Sequence, residues 1–168
     1  MSDIPTINTQ RLQLRAWKTS DYQPMCDYYG DPQMTAYLGG VQDPESVFRQ
    51  MATYLGHWHL FGFGYWALEE TRTATFVGGC GLWKSPQWPE IELGYWLLPG
   101  FHGTGMALEA ALAAKDYAFE TLNLNTLVSY IDANNKSSIK LAEKLGGQAE
   151  PAIELLNFGP HLVYRYHA

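Results

Sequence analysis

A glycine-containing loop between a predicted strand and a predicted helix constrains the fold more than any other feature. The loop spans His102 to Ala107 and reads HGTGMA. Apolar and polar or small residues alternate before it, from residue 90 to 98, and apolar residues recur at helical spacing after it, from 107 to 122. A further strand, predicted at 126–131, completes a strand–helix–strand unit. Such a unit requires a parallel strand pair joined by a right-handed crossover.

The other segments predict that this unit belongs to a larger mixed sheet. Three consecutive strands between residues 63 and 98 favour an antiparallel meander. The remaining predicted strands cover 11–15, 63–70, 76–83, 149–156 and 161–167, and the remaining predicted helices cover about 19–29, 31–38, 43–58 and 135–145. We therefore expect one α/β domain over residues 1–168.

Apolar spacing also predicts which helix faces are buried. Asp43 and Pro44 are typical of an N-cap and a first helical position. The face expected to be buried in that helix carries Val47, Phe48, Met51, Tyr54, Leu55 and Trp58. The corresponding stripe after the glycine loop carries Leu108, Ala111, Leu112, Ala118, Phe119 and Leu122.

Composition and charge exclude several protein classes. Charged residues make up 17% of the chain and aromatic residues 14%, which is not the composition of a disordered protein. The net charge of −6 argues against a nucleic-acid partner. Residues 1–10 do not combine a basic segment with an apolar run, and no apolar stretch approaches about 18 residues, so we expect neither a signal peptide nor a membrane contact. Cys26 and Cys80 form no CxxC motif, which favours a reducing, cytoplasmic location.

The glycine loop itself has the chemistry of an anion site. Small residues at a helix N-terminus direct several backbone N–H groups, and the positive end of the helix dipole, at one point. A P-loop would need a lysine that is absent, and a dinucleotide fingerprint would need a glycine at Leu108. A third pattern, Arg/Gln-x-x-Gly-x-Gly/Ala, matches from Gly105 to Ala107 with His102 at its first position. A turn that only starts a helix remains the alternative.

Five segments in order resemble the GNAT N-acetyltransferase superfamily, and within it the Rim-type branch of ribosomal-protein N-terminal acetyltransferases. They are TQRLQLR at 9–15, GFGYW at 62–66, FVGGCGL at 76–82, ELGYWL at 92–97 with Pro99 and HGTGMALE at 102–109, and NKSSIKLAEKLG at 135–146. This resemblance implies a GNAT-like fold, with six to seven mostly antiparallel strands, a central parallel pair and about four helices. Three positions depart from the pattern: His102 replaces Arg or Gln, Gly147 replaces Phe, and Ala142 replaces a Tyr that could act as a general acid.

The resemblance implies acetyl-CoA as the cosubstrate, without a metal. Backbone amides of Trp96, Leu97 and Leu98 would bind the acyl carbonyl and the pantetheine arm. Those of His102, Gly103, Thr104, Gly105, Met106 and Ala107 would bind the pyrophosphate. Asn135 would hydrogen-bond the pantetheine arm, although a helix N-cap is the alternative role for this residue.

Acetyl transfer to an amine also needs groups that move protons. Strand alternation places Glu92 on one face with Gly94 and Trp96, so its carboxylate is our candidate general base, acting through a water; a purely structural hydrogen-bonding role is the alternative. Ser138 is the candidate general acid at the leaving thiolate, or else a first-turn serine bonded to its own helix. Tyr130 is a second candidate acid.

The acceptor is expected to be a primary amine, either a protein N-terminus or a small molecule. Between Tyr54 and Phe101 lie 12 of the 24 aromatic residues, and Trp83 and Trp96 are predicted to line an acceptor pocket with their rings over the cationic amine. A non-catalytic acyl-CoA-binding or sensor protein is the alternative function, and an ATP-binding protein using the glycine loop is a third. We expect a monomer or a homodimer.

Overall fold

The structure is a computed structural model that describes residues 4–168. Eight strands form one sheet in the order β1-β2-β3-β4-β5-β6-β8-β7. The strands are β1 (Ile7–Asn8), β2 (Leu12–Arg15), β3 (Tyr65–Glu70), β4 (Thr75–Trp83), β5 (Glu92–Leu97), β6 (Thr126–Ile131), β7 (Gln148–Glu154) and β8 (Pro160–His167). The α-helices are α1 (Tyr22–Tyr29), α2 (Pro44–Phe61), α3 (Met106–Asp116) and α4 (Lys136–Lys144).

Strand pairing confirms the predicted mixed sheet. β5 and β6 are parallel and are joined through α3, whereas every other pair is antiparallel. β1 is the eighth strand, which brings the number above the expected six to seven. It is only two residues long, so it leaves no alternating pattern in the sequence.

The two faces of the sheet carry different helices. α3 and α4 pack on one face through small residues such as Ala110, Ala114 and Ala142, which are fully buried. On the other face, α1 and the first part of α2 bury Met25 and Val47 in a second, aromatic-rich cluster. The two faces of the sheet therefore have different surroundings, one built from small residues and the other rich in aromatic residues.

Two helix predictions were wrong in part. No helix forms at 31–38; the chain makes a series of turns there, with Thr35 buried and its N–H donating to the carbonyl of Asp31. Gly39 and Gly40 follow with φ values of 88° and 93°, and an α-helix cannot continue through residues with positive φ. In α2, Asp43 caps the helix by accepting from the Ser46 N–H, as predicted. Phe48 and Leu55, however, are exposed.

The buried stripe of α3 also differs from the prediction. Ala111 and Ala118 are buried as expected, but Leu112 is exposed. Ala110 and Ala114 are buried instead, because the helix approaches the sheet closely along its smallest residues. The regular helix ends at Asp116, and residues Tyr117–Thr121 form a wider π-helical turn.

Ion pairs, one of them buried, connect the elements. Arg15 in β2 makes a bidentate pair with Asp21, at 2.8 and 2.9 Å, and a further contact of 2.6 Å with Glu69 in β3. Arg165 in β8 likewise binds both Glu90 and Glu150. Within residues 4–168, no helix is long and apolar enough to cross a membrane.

Candidate active site

The parallel strands β5 and β6 separate to form an opening in the middle of the sheet. They share one registered pair, Glu92 with Val128. The Ser129 hydroxyl then donates to the Leu93 carbonyl at 2.7 Å, and beyond it the strands diverge. The opening has a volume of about 120 Å³ and is lined by Tyr37, Leu38, Tyr65, Glu92, Leu93, Gly94, Tyr95, Ser129, Tyr130, Ile131, Asp132, Asn135, Ser138 and His161. It thus brings together Glu92, Asn135 and Ser138, which are far apart in the sequence.

The unpaired edge of β5 faces this opening. The Leu98 N–H donates to the Val77 carbonyl of β4 at 2.9 Å. Because successive peptide groups of a strand point to opposite sides, the N–H of Trp96 also faces β4, whereas those of Tyr95 and Leu97 face the opening. The expectation that Trp96 and Leu98 offer amides to an acyl group was therefore wrong. The Leu97 N–H is still a candidate donor to the acyl group, and the Tyr95 N–H is a second one.

Glu92 is a half-buried carboxyl group without a cationic partner within the described residues. The Trp88 indole N–H donates to its Oε2 at 2.8 Å, and the Tyr130 N–H approaches its Oε1 at 3.4 Å. These two hydrogen bonds lower the pKa of Glu92, but the loss of solvent around the carboxyl group has the larger effect and raises the pKa to about 7. A carboxyl group with a pKa near neutrality is well suited to accept and release a proton.

Asn135 and Ser138 meet at the start of α4. The Asn135 side-chain oxygen caps the helix, accepting from the Ser138 N–H at 3.2 Å and from the Ser137 hydroxyl at 3.0 Å. The N-cap role is thus present, and the Asn135 amide nitrogen stays available to a ligand. Within residues 4–168 the Ser138 hydroxyl is not bonded to its own helix; the Tyr95 hydroxyl lies beside it and donates to the Ser138 carbonyl at 3.2 Å.

The glycine loop joins the end of β5 to α3. Gly103 and Gly105 have φ values of 73° and 83°, and Gly105 is the N-cap. Within the described part of the chain, no acceptor binds the N–H groups of residues 103–105, 107 and 108, which is the state expected of an open helix N-terminus. These amides are free for an anion.

Side chains around the loop hold it in place. Arg11 donates to the Thr104 carbonyl at 2.9 Å and pairs with Glu109 at 2.7 Å, which links β2 to the loop and to α3. The His102 ring contacts the Leu97 carbonyl, with 2.8 Å between Nε2 and O. The side chain that replaces the usual Arg or Gln therefore binds the end of β5.

The rings of Trp83 and Trp96 do not line the opening. Trp96 is 6% exposed and packs against Trp17 and Tyr28 in the aromatic cluster. Trp83 is the register partner of Glu92, but its ring stacks on His57 at 4.7 Å. The prediction that these rings line the acceptor pocket is corrected, because both are engaged in core packing.

Other aromatic residues lie at the opening instead. The Tyr130 hydroxyl is buried and has no hydrogen-bond partner in the described structure. Tyr65 stacks on Tyr54, and its hydroxyl lies where a Cβ on Gly94 would be, so this position excludes any larger residue. The sequence analysis weighed Tyr130 only as a second acid and missed Tyr65. No local motif marks them, since their position depends on how the strands separate.

Comparisons with known proteins agree with this architecture. A family model described as acetyltransferase (GNAT) domain matches residues 11–148. The chain is 32% identical over 150 residues to the uncharacterized N-acetyltransferase p20 of Bacillus licheniformis, covering 88% of this chain and 84% of p20. The crystal structure of an acetyltransferase from Agrobacterium tumefaciens superposes with a TM-score of 0.91 and 39% identity, covering 100% of this chain and 97% of that one. The fold is also shared with ribosomal-protein-S5-alanine acetyltransferase from Vibrio fischeri, at a TM-score of 0.75, 18% identity and coverage of 98% and 97%. The chain belongs to the GNAT acetyltransferase family.

Proposed function

We propose that this protein is an N-acetyltransferase that moves an acetyl group from acetyl-CoA directly to a primary amine within a ternary complex. One observation carries the proposal: a half-buried carboxyl group with a pKa near 7, Glu92, lies at an opening whose wall is an unpaired strand edge. The acceptor is a protein N-terminus or a small amine.

The residues present fit acetyl-CoA on the α3 and α4 side of the sheet. The unpaired N–H groups of residues 103–105, 107 and 108 suit a pyrophosphate, whereas that of His102 donates to the Pro99 carbonyl and that of Met106 to the Thr104 hydroxyl. The N–H groups of Tyr95 and Leu97 and the Tyr95 carbonyl can pair with the amides of a pantetheine arm, as a neighbouring strand would, while the Leu97 carbonyl is held by the His102 ring. The Asn135 amide nitrogen adds one more donor beside them.

Glu92 acts as the base in this scheme. An aliphatic amine is mostly protonated at neutral pH and must lose a proton before it can attack. The Glu92 carboxylate first attracts the ammonium group and then receives its proton, directly or through a water. The absence of a cationic partner for Glu92 among the described residues leaves this carboxylate free for the incoming amine.

The groups that stabilise the acyl oxygen and the leaving sulfur lie across the opening. The N–H groups of Tyr95 and Leu97 are placed to donate to an acyl oxygen as negative charge develops on it. The Ser138 hydroxyl supplies a proton to the leaving thiolate. The new N–C bond forms as the C–S bond breaks. Glu92 holds the first proton of the ammonium group, Ser138 gives its proton to the leaving sulfur, and the second proton of the attacking nitrogen restores the Ser138 hydroxyl, so that the products are the amide and the CoA thiol.

The test is CoA release from acetyl-CoA with a panel of amines, for the wild type and three variants. We expect Glu92→Gln to lower kcat/KM by about 10²–10⁴-fold and to remove the rise in rate centred near pH 7. A rise caused by the amine itself would shift with the pKa of each amine, whereas the Glu92 rise would stay in place. A wild-type profile without this fixed rise would contradict the assignment of Glu92.

Ser138→Ala and Ser137→Ala form a matched pair for the acid. Both remove one hydroxyl from the first turn of α4, but only Ser138 lines the opening. We expect Ser138→Ala to lower kcat with little change in acetyl-CoA affinity, and Ser137→Ala to behave as the wild type. Tight acetyl-CoA binding without turnover on any amine would instead identify a sensor.

A further inference from the structure

Two neighbouring loops carry a group of exposed apolar side chains. Ten large hydrophobic residues are exposed in the described chain, and five of them lie in these loops. We call these five the mouth patch; they are 39–57% exposed and comprise Tyr37, Leu38, Val41, Leu156 and Phe158. Single exposed hydrophobic residues need no explanation, but a contiguous group next to a cleft indicates a binding surface.

The mouth patch is continuous with the Glu92 opening. Tyr37 and Leu38 line the opening, and the Tyr37 hydroxyl donates to the Asn134 carbonyl at 3.3 Å. The two loops approach each other closely, since a Cβ placed on Gly39 would lie 3.6 Å from the Phe158 ring. If the amine of an acceptor reaches Glu92, the atoms attached to its nitrogen would therefore contact these side chains.

Trp88 connects the two parts of this surface. Its ring lies 5.8 Å from that of Phe158, and its indole N–H donates to the Glu92 carboxyl group. The base and the mouth patch are thus separated by a single indole side chain. An apolar group attached close to the amine would fit this short distance.

The charges at the opening favour an acceptor with one cationic group. Apart from Glu92, only Asp132 contributes a carboxylate to the described lining, and its Oδ1 already accepts from the Asn134 N–H at 2.8 Å. A polyamine would place two or more ammonium groups along a path that offers them an apolar surface. Leaving such charges without partners is costly.

We propose that the acceptor is a primary amine whose neighbouring substituent is apolar, either alkyl or aromatic, and that this substituent rests on the mouth patch. The proposal rests on the proposed function and names its substrate class. The same chemistry is found in a peptide whose first residue is apolar and in a small arylalkylamine.

The first test compares amines that differ in the substituent. CoA release is measured with 2-phenylethylamine, ethanolamine and spermidine, and with the peptides Phe-Gly-Gly, Leu-Gly-Gly and Gly-Gly-Gly. We expect kcat/KM for the apolar member of each set to exceed that of its polar or glycine counterpart by about tenfold or more. Comparison of the two sets distinguishes a peptide from a small amine. Equal or faster acetylation of ethanolamine, spermidine and Gly-Gly-Gly would overturn the proposal.

The second test uses Phe158→Ser and Tyr37→Ser, with Phe48→Ser as the matched control. Phe48 is 56% exposed, similar to Phe158, but it lies on α2 against Tyr22, whereas the Phe158 ring lies 5.8 Å from that of Trp88. We expect the first two variants to lose about tenfold in kcat/KM for the apolar amines, with less change for ethanolamine, and the control to keep the wild-type preference. Thermal unfolding and acetyl-CoA binding, measured for each variant, show whether it is folded.

The outcomes separate the two proposals. If acetyl-CoA binds and no amine releases CoA, the proposed function fails. If amines are acetylated but Phe158→Ser and Tyr37→Ser keep the wild-type selectivity, the function stands and the mouth patch does not bind the acceptor. A change of oligomeric state in Phe158→Ser without a change in selectivity would show that a second copy covers the patch, and would also overturn this inference.

Discussion

At the scale of single residues, Glu92 shows how a functional group can oppose stability. Removing a carboxylate from water without a cation is costly, and two N–H donors offset only part of this cost. The pair formed by Arg15 and Asp21, which is more deeply buried, is instead matched by charge. The contrast is consistent with Glu92 being placed for chemistry and Asp21 for structure.

This contrast leads to a prediction for stability. The pKa of Glu92 is raised from 4.5 to about 7 in the folded chain, so the folded state binds the proton more tightly than the unfolded state between these values. Its contribution to stability is therefore complete below pH 4.5 and is lost as the pH rises through 7, up to about 3 kcal/mol. We expect Glu92→Gln to be more stable than the wild type at pH 8 by up to this amount.

Urea unfolding of both proteins at pH 8 and pH 5 measures the effect. Most of the difference should disappear at pH 5, where the wild-type carboxyl group is protonated. Glu143→Gln, an exposed change on α4, serves as the control and should be neutral at both values. An equal difference at the two pH values would mean that packing, and not ionisation, distinguishes the variant.

At the scale of elements, β5 has two unlike edges. One is paired with β4 along its whole length, and the other is paired with β6 at Glu92 and then free. In the proposed mechanism this strand supplies the base, the N–H groups for the donor and the connection to the glycine loop. A short segment would thus position both substrates relative to each other.

The two edges of β5 should be distinguishable by amide hydrogen exchange. In the free protein we expect the amides of Tyr95 and Leu97 to exchange faster than those of Trp96 and Leu98, which face β4. Saturating acetyl-CoA should slow the first pair and leave the second unchanged, because only the first can donate to the ligand. Protection of Trp96 and Leu98 alone on binding would show that the assignment of the edges is inverted.

Much of this element structure could be predicted from the sequence. β6 has the predicted bounds, and the α2 N-cap is at Asp43, because both depend on local patterns. Alternation also placed Glu92 on the correct face of β5. Alternation alone does not show which strand lies on each side, so the choice of cleft-facing amides required the sheet order. Trp96 could not be assigned correctly for the same reason, since α1 covers it from a distant part of the chain.

At the scale of the whole molecule, the sheet separates two environments. The face of α3 and α4 offers free amides to a phosphate-bearing ligand, and the other face offers tyrosines and the mouth patch. The opening between β5 and β6 connects them. This arrangement suits the proposed ternary complex, in which the donor and the acceptor approach from opposite sides and meet at Glu92.

The ion pairs of the whole molecule predict its response to acid. Hydrogen bonds and nearby cations lower the pKa of Glu69, Glu90, Glu109 and Glu150 below 4.5. A lowered pKa contributes stability that is present above 4.5 and is lost as the pH falls through the folded-state value. We expect the free energy of unfolding to decrease steadily below about pH 4.5, while protonation of Glu92 acts in the opposite direction between 7 and 4.5.

Chemical denaturation across pH 8 to 3 measures this profile. The free energy of unfolding should be highest on the acidic side of neutrality in the wild type. In Glu92→Gln it should instead stay nearly constant over a broad pH range. High salt should weaken the acid-sensitive part, because Glu150 is exposed enough to be screened. A stability that keeps rising below pH 4 would contradict the role of these pairs.

The outer strands of the sheet have a further consequence. An open sheet exposes unpaired N–H and C=O groups at its edges, where another chain can add a strand. Here β1 is too short to serve as a template, and β7 contains Pro151 and an irregularity between Glu150 and Ile153. Both edges therefore resist pairing with another chain, and the unpaired edge left for a ligand is the internal one at β5, where we propose that the pantetheine arm binds.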